Sequence, residues 1–141
     1  MNFLEKLKPV ALLLLRCALG TIYIYHGYPK LFGQTAHFQL FFSCVGLPPS
    51  WVYIVGVLEL FGGALLIVGL FTRIVSLLLT IEMGVAIWKV HFHSALAVKD
   101  YEFPLSLAVA AFALATVGAG VISIDYPIFR GRGGAKSKSK A

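Results

Sequence analysis

Four apolar runs dominate this chain, and their length is the feature that most restricts its fold. They lie at about residues 10–28, 51–70, 74–92 and 103–122, and a helix of ~20 apolar residues crosses the ~30 Å hydrocarbon core of a bilayer. Only 13% of the 141 residues are charged, against roughly 25% in a soluble domain. The sequence therefore predicts an all-α integral membrane protein, built as a bundle of four transmembrane helices. A soluble globular domain and a disordered chain are both excluded.

The longest connection joins the first two runs, over residues 26–50. Its middle part is rich in phenylalanine, and the apolar residues Phe38, Phe41 and Phe42 recur at helical spacing. Two prolines end this segment, and Ser50 is a suitable cap for the next helix. The pattern predicts a short helix in the membrane interface between the first and second spans.

The cationic residues are distributed unevenly between the two ends of the predicted bundle. Four spans place both termini on one side, which then carries nine of the twelve cations: Lys6, Lys8, Arg16, Arg73, Arg130, Arg132, Lys136, Lys138 and Lys140. Only Lys30, Lys89 and Lys99 remain for the other side. Because positively charged segments stay in the cytoplasm, we predict cytoplasmic N and C termini. Residues 127–141 form a basic cytoplasmic tail that attracts anionic headgroups, and no nucleic-acid partner is expected.

Three charged residues, Arg16, Glu59 and Glu82, lie well inside the apolar runs. A charge at the centre of a membrane helix costs roughly 2.5–3.5 kcal/mol on insertion scales, so these residues mark either a buried ion pair or a working site. Counted from the ends of their helices at ~1.5 Å per residue, all three approach the bilayer midplane. Arg16 can then pair with Glu59 or Glu82, which leaves one carboxyl over. Structural pairing and a role in proton or substrate handling both stay open, while Arg73 marks the inner boundary.

Titratable side chains also gather at the outer ends of the predicted spans: His26, Lys30, Lys89, His91 and Glu102. They suit a quinone site, where His and Lys donate to carbonyl oxygens and a carboxylate moves protons. A hydrogen-bonded network at headgroup level, without chemistry, is the alternative. Haem is not expected, because only His26 and His91 are matched in depth. No metal site is expected either, since His93 lies two residues after His91 and the rings point apart on a helix.

Six short motifs follow one another along the chain. They are LLRCALG (14–20), HGYPKLFG (26–33), GLPPS (46–50), VGVLELFGGALLIVGLFTR (55–73), KVHFH (89–93) and YEFPL (101–105). Over residues 10–126 this pattern resembles the DoxX family of four-helix membrane proteins. The resemblance implies a DoxX-like membrane domain over residues 1–126, in a bacterial inner (plasma) membrane. It also implies that the following polar positions recur in the family: Arg16, His26, Lys30, Glu59, Arg73, His91 and Glu102. Glu82, Lys89 and His93 are less typical of it.

The resemblance also restricts function, since named DoxX members are linked to quinone-coupled sulfur oxidation and to membrane redox complexes. Cys17 and Cys44 form no CxxC pair, and no flavin or dinucleotide motif is present. We therefore predict an accessory subunit of a membrane redox or electron-transport complex, quinone- or lipid-binding, with no catalytic activity of its own. The alternatives are a stand-alone quinone-linked oxidoreductase component, a small proton-coupled transporter and a membrane chaperone. Expected partners are the lipid bilayer and other membrane subunits or further copies of the chain.

Overall fold

The computed structural model describes residues 2–93 and 98–130, with the side chains of residues 91–93 and 98–100 left aside. Seven helices and no strand occur in this part of the chain. Their bounds are Asn2–Lys6 (α1), Lys8–Leu31 (α2), Thr35–Cys44 (α3), Trp51–Val68 (α4), Thr72–His93 (α5), Val98–Val117 (α6) and 125–130 (α7). The predicted all-α class is therefore confirmed.

Glycine lets α2 and α4 approach each other closely. A Cβ on Gly20 would lie 2.5 Å from the carbonyl oxygen of Gly63, and a Cβ on Gly63 would lie equally close to the carbonyl oxygen of Gly20. Nearer the other end of the two helices, a Cβ on Gly27 would lie 2.9 Å from the carbonyl oxygen of Gly56. Residue numbers increase along α2 where they decrease along α4, so the two helices are antiparallel. Their backbones are in direct contact, as small residues allow in membrane helices.

Helices α5 and α6 form a second closely packed pair, and α4 joins it to the first. The shared core contains Leu19 and Tyr23 of α2, Leu66 of α4, and Leu79 and Met83 of α5, together with Leu107, Ala111 and Leu114 of α6. Opposite these buried stripes, large apolar side chains face outward: Leu14, Tyr25, Ile54, Phe61 and Phe112 are all more than half exposed. An apolar core inside an apolar exterior is the pattern expected of a protein surrounded by lipid.

Arg16 is buried at the end of the bundle where α2 begins, with 1% of its surface exposed. Its guanidinium donates to four backbone carbonyls: Nε to Leu66 (3.0 Å), Nη2 to Ile67 (3.0 Å), and Nη1 to both Ala119 (2.7 Å) and Ile122 (2.6 Å). The first two acceptors belong to the last turn of α4, where carbonyls lack partners within the helix. The other two belong to the segment after α6. One side chain therefore ties three parts of the chain together.

The predicted pairing of Arg16 with Glu59 or Glu82 is wrong, and the register of α2 on α4 explains why. Because Gly20 faces Gly63, Arg16 is level with the end of α4, close to Ile67. Glu59 lies eight positions earlier on α4, or ~12 Å away along the axis. Arg16 thus lies near the end of the bundle rather than at the middle depth inferred from counting residues.

The segment after α6 folds back across this end of the bundle. Gly118 and Gly120 have φ of +91° and +80°, a backbone conformation that glycine adopts without strain, and they break the helix at Val117. The predicted end of the fourth span at residue 122 is therefore wrong. Helix α6 ends at Val117, and the apolar residues 118–122 form a turn. Farther on, the carboxylate of Asp125 accepts hydrogen bonds from the backbone N–H groups of Phe71 (2.7 Å) and Thr72 (2.8 Å), and so caps the start of α5.

The other predicted elements agree with the structure in type and differ from it in extent. The short helix expected between the first two spans is present as α3. Helix α2 begins two residues before the predicted span at 10–28 and continues three residues beyond it. By length and composition, α2 and α4 are apolar enough to cross a membrane, with mean hydropathies of 1.5 and 2.2. Part of the predicted tail, residues 127–130, is helical, and residues 131–141 lie outside the described chain.

The close approach of α2 and α4 predicts that two glycine substitutions have different effects on stability. Gly63→Ala places a methyl group 2.5 Å from a backbone oxygen, so the helices must separate at a cost of about 1–3 kcal/mol. Gly84→Ala in α5 is the matched control, since its Cβ would meet no atom within 4 Å and alanine favours the helix. Thermal unfolding in detergent should give a lower Tm for Gly63→Ala and an unchanged or higher Tm for Gly84→Ala. Equal Tm values would contradict backbone contact at Gly63.

Candidate functional site

A buried ion pair joins α2 to α4 in the other half of the bundle. The ammonium group of Lys30 donates to the Glu59 carboxylate, and the two side chains are 12% and 2% exposed. Lys30 lies near the end of α2, and Glu59 lies in the middle of α4. The Lys30 ammonium also lies 5.7 Å from the ring centroid of Phe38 in α3. Three helices therefore shield the pair. Glu59 is paired with Lys30 and not with Arg16, the partner that the sequence predicts.

Two further polar groups lie beside this ion pair. The Glu82 carboxyl, on α5, is near enough to the Glu59 carboxyl and to Lys30 to interact electrostatically with both. Tyr23 of α2 is 1% exposed and interacts electrostatically with both carboxyls. Neither the Tyr23 hydroxyl nor Oε2 of Glu82 has a hydrogen-bond partner among the described residues. The cluster therefore retains unused hydrogen-bonding capacity. Leaving a buried polar group without a partner costs about 1–3 kcal/mol of stability.

An apolar cavity of about 300 Å³ opens beside Lys30 and Glu59, at the lower end of the ~300–1,000 Å³ typical of small-molecule sites. Its polar walls come from α2 and α4 and its apolar walls mainly from α5 and α6. The residues that line it are Tyr23, His26, Lys30, Phe41, Glu59, Met83, Ala86, Ile87, Val90, Tyr101, Phe103, Pro104 and Leu107. Buried polar groups at one wall and aromatic or aliphatic side chains at the others are the features of a site that orients a largely apolar ligand.

The predicted outer cluster is only partly brought together. His26 lines the cavity, and its ring lies 5.6 Å from that of Phe103. Lys89 is half-buried with its ammonium 5.5 Å from the ring centroid of Trp88, and neither Lys89 nor the exposed Glu102 lines the cavity. The side chain of His91 lies outside the described residues, so the His26–His91 pair considered for haem is not described. Arg73 lies at the opposite end of α5.

Tyr23 is a buried polar residue of the cavity that is absent from the predicted site, although the sequence carries a signal for it. Arg16, Gly20, Tyr23, Gly27 and Lys30 recur at intervals of four, three, four and three residues. This spacing places all five on one face of α2, and that face is turned towards α4. The small residues on it mark the helix contact, and the polar ones mark groups that must find partners inside the bundle.

The chemistry of this site follows from its charges and donors. One ammonium faces two carboxyl groups, so the cluster can bind one more proton without acquiring a net positive charge. The Tyr23 hydroxyl offers a donor and acceptor at the cavity wall, and Lys30 offers further donors. The site can therefore bind a ligand that carries hydrogen-bonding oxygens on an apolar ring, and can exchange a proton with it.

Comparison with known proteins gives the family. The DoxX family profile matches residues 11–92, more than half of the chain. The chain is 33% identical over 129 residues to the Bacillus subtilis (strain 168) protein named "Putative oxidoreductase CatD". The alignment covers 92% of this chain and 95% of the relative. It is 32% identical over 127 residues to "Inner membrane protein YphA" of Escherichia coli (strain K12), with 84% and 90% covered.

An uncharacterized protein of Haemophilus influenzae is 35% identical over 124 residues, with 82% of each chain covered. No solved structure matches the chain. The resemblance in the sequence motifs is confirmed by these matches, which extend along most of the chain. This protein belongs to the DoxX family.

Proposed function

We propose that the chain is an accessory subunit of a membrane redox complex and that its cavity binds the head group of a quinone. The observation that carries this proposal is the Tyr23 hydroxyl, which is buried beside a cavity and unpartnered among the described side chains. A ring oxygen of a quinone accepts a hydrogen bond from such a hydroxyl. Lys30 and His26 on the same wall supply further donors, and Met83, Ile87 and Leu107 provide apolar contacts for the ring.

The neighbouring carboxyl groups suit the proton part of quinone chemistry. A bound quinone would supply a group that gains or loses two electrons together with two protons. Glu59 is paired with Lys30, and Glu82 interacts electrostatically with both, so the two carboxyl groups together can hold one proton near the cavity wall. This chain then binds the head group and exchanges a proton with it.

The electrons are assigned to another subunit in this proposal. The sequence has two unpaired cysteines, Cys17 and Cys44, and no flavin or dinucleotide motif, so it offers no redox centre of its own by sequence. The name of the Bacillus subtilis relative supports a redox setting. These observations favour an accessory role over a stand-alone oxidoreductase.

In this proposal α2, α4, α5 and α6 cross the plasma membrane with both termini in the cytoplasm. The name of the Escherichia coli relative, the apolar exterior and the nine-to-three distribution of cations support this arrangement. The Arg16 end of the bundle then faces the cytoplasm. The cavity lies in the outer half of the membrane, where a lipid-soluble ligand can enter sideways.

The proposed orientation predicts which cysteines a membrane-impermeant maleimide labels in intact cells. Cys44 is exposed on α3, on the outer side, so the natural chain should be labelled. A Cys44→Ser, Ser137→Cys chain should be labelled only after permeabilisation, because residue 137 lies in the cytoplasmic tail. Cys44→Ser alone controls for Cys17. Labelling of Ser137→Cys in intact cells would contradict cytoplasmic termini.

The cavity predicts that Tyr23→Phe separates ligand binding from folding. Removing a hydroxyl that lacks a partner should leave the Tm of the ligand-free protein unchanged or raised. Losing a donor to the quinone should weaken binding about fivefold, since a hydrogen bond contributes ~1 kcal/mol. Titration of a short-tailed ubiquinone analogue, followed by tryptophan fluorescence, measures the Kd.

Glu102→Gln is the matched control, because this exposed carboxyl does not line the cavity and its Kd should equal that of the natural chain. The same Kd for Tyr23→Phe would remove Tyr23 from the quinone site. A lowered Tm without ligand would show that the hydroxyl has a structural role instead.

The accessory role predicts the composition of the native particle. Gentle purification from the source membrane, followed by mass measurement, should find the chain in a defined assembly with subunits that carry redox centres. A chain recovered alone or only with copies of itself would contradict the accessory role, while leaving the quinone titration to decide the ligand.

A further inference from the structure

A second and larger concavity lies at the opposite end of the bundle from the quinone cavity. Its volume is about 760 Å³, and it lies between the start of α5, the turn after α6 and α7. We call it the arginine groove after its two cationic residues, Arg73 and Arg130. Its apolar wall is formed by Phe71, Ile74, Val117, Val121, Tyr126 and Phe129. The groove therefore combines positive charge with a broad apolar surface.

Two other polar side chains of the groove, Asp125 and Ser123, are already used within the protein, whereas the buried Thr72 hydroxyl has no partner among the described residues. Both carboxylate oxygens of Asp125 accept hydrogen bonds from the start of α5. The Ser123 hydroxyl donates to the carbonyl of Gly120 (2.7 Å) and accepts from the N–H of Tyr126 (3.2 Å). The acidic residue of the groove is thus occupied as a helix cap, and the arginines set the electrostatic character that a ligand meets.

The two arginines, in contrast, use little of their hydrogen-bonding capacity. A guanidinium has five N–H donors. Arg73 makes one hydrogen bond to described residues, from Nη2 to the carbonyl of Val117 at 3.3 Å. Arg130 donates from Nη1 to the Tyr126 hydroxyl (2.9 Å) and lies over its ring, 5.3 Å from the centroid. Each therefore retains donors for an anion, and the planar fork of arginine fits phosphate oxygens in pairs.

Gly118 keeps the Arg73 side chain in the groove. A Cβ at this position would lie 3.0 Å from Nε of Arg73, so the guanidinium packs directly over the glycine. The same residue has φ of +91° and begins the turn after α6. The turn that ends α6 thus also shapes one side of the groove.

We propose that the arginine groove binds an anionic phospholipid, with the phosphate between Arg73 and Arg130 and an acyl chain along the apolar wall. Charge complementarity selects the anionic headgroup, and the six apolar side chains favour a lipid over a free phosphate ion. The groove lies at the helix ends, where the proposed spans meet the cytoplasmic headgroup layer, and basic pockets at this level bind anionic lipids. This site is separate from the quinone cavity and does not depend on it.

The experiment compares lipids on the purified full-length chain, so that its basic tail is the same in every sample. Phosphatidylglycerol should raise the Tm, whereas phosphatidylcholine should not, and native mass spectrometry should show phosphatidylglycerol retained. Arg73→Gln with Arg130→Gln should weaken phosphatidylglycerol binding about tenfold or more, as expected for the loss of two charges at the membrane surface. Arg73→Lys with Arg130→Lys keeps the charge and should give an intermediate affinity.

The matched control is Lys6→Gln with Lys8→Gln, which removes two exposed cations near the start of the chain and outside the groove. The same loss of affinity in this control would show general electrostatic attraction and overturn the proposal. Stabilisation by inorganic phosphate equal to that by phosphatidylglycerol would assign the groove to a soluble anion and overturn it too. If the double glutamine variant fails to fold, each single glutamine variant must still lose the preference for phosphatidylglycerol, and unchanged preference in both would reject the site.

Discussion

The hydrogen bonds of Arg16 are the interaction on which the end of the bundle where α2 begins depends. The guanidinium satisfies two carbonyls at the end of α4 and two in the turn after α6. It thereby places that turn over the end of α2. Asp125 follows directly in the chain and caps α5, and Gly69 at the end of α4 has room for no side chain, because its Cβ would lie 2.8 Å from Cζ of Arg16. Lysine could not replace this contact, since it lacks the rigid fork that reaches acceptors on different segments.

Because four backbone carbonyls accept the hydrogen bonds of Arg16, both buried carboxyls are left to other partners. Lys30 reaches Glu59 from the far end of α2, and Glu82 joins the pair from α5. The two polar centres of α2 are therefore separated by most of the helix length. One closes the bundle at the cytoplasmic end of the proposed topology, and the other lies at a cavity wall. The charges inside the apolar runs thus divide into a structural centre and a candidate ligand site.

Sequence reasoning predicted the helices well and their internal partners poorly, for reasons that particular residues illustrate. Length and apolarity are local properties, so the four long helices and the short α3 follow from them. Partner choice depends on helix register, which Gly20 and Gly63 determine and which no count of residues from a helix end supplies. The apolar character of residues 118–122 predicts helix, whereas the positive φ angles of Gly118 and Gly120 and the hydrogen bonds donated by Arg16 hold them in a turn. The spacing of residues along α2 places Tyr23 on the face that packs against α4. That its hydroxyl lacks a partner among the described residues depends on side-chain packing, which the sequence does not show.

The Arg16 and Lys30 centres differ in how far their own polar groups are satisfied, although the buried Thr72 and Ser76 hydroxyls also lack partners among the described residues. At Arg16 four acceptors meet one guanidinium, and a buried polar contact of this kind is what a fold needs for stability. At Lys30 one cation faces two carboxyls, while the Tyr23 hydroxyl and one Glu82 oxygen lack partners among the described residues. A cluster evolved only to hold helices together would gain by satisfying or removing those groups, because each costs about 1–3 kcal/mol. Their persistence beside a cavity is explained if a ligand and a proton complete the network. This incompleteness supports a binding function for the half of the bundle that contains Lys30 and Glu59.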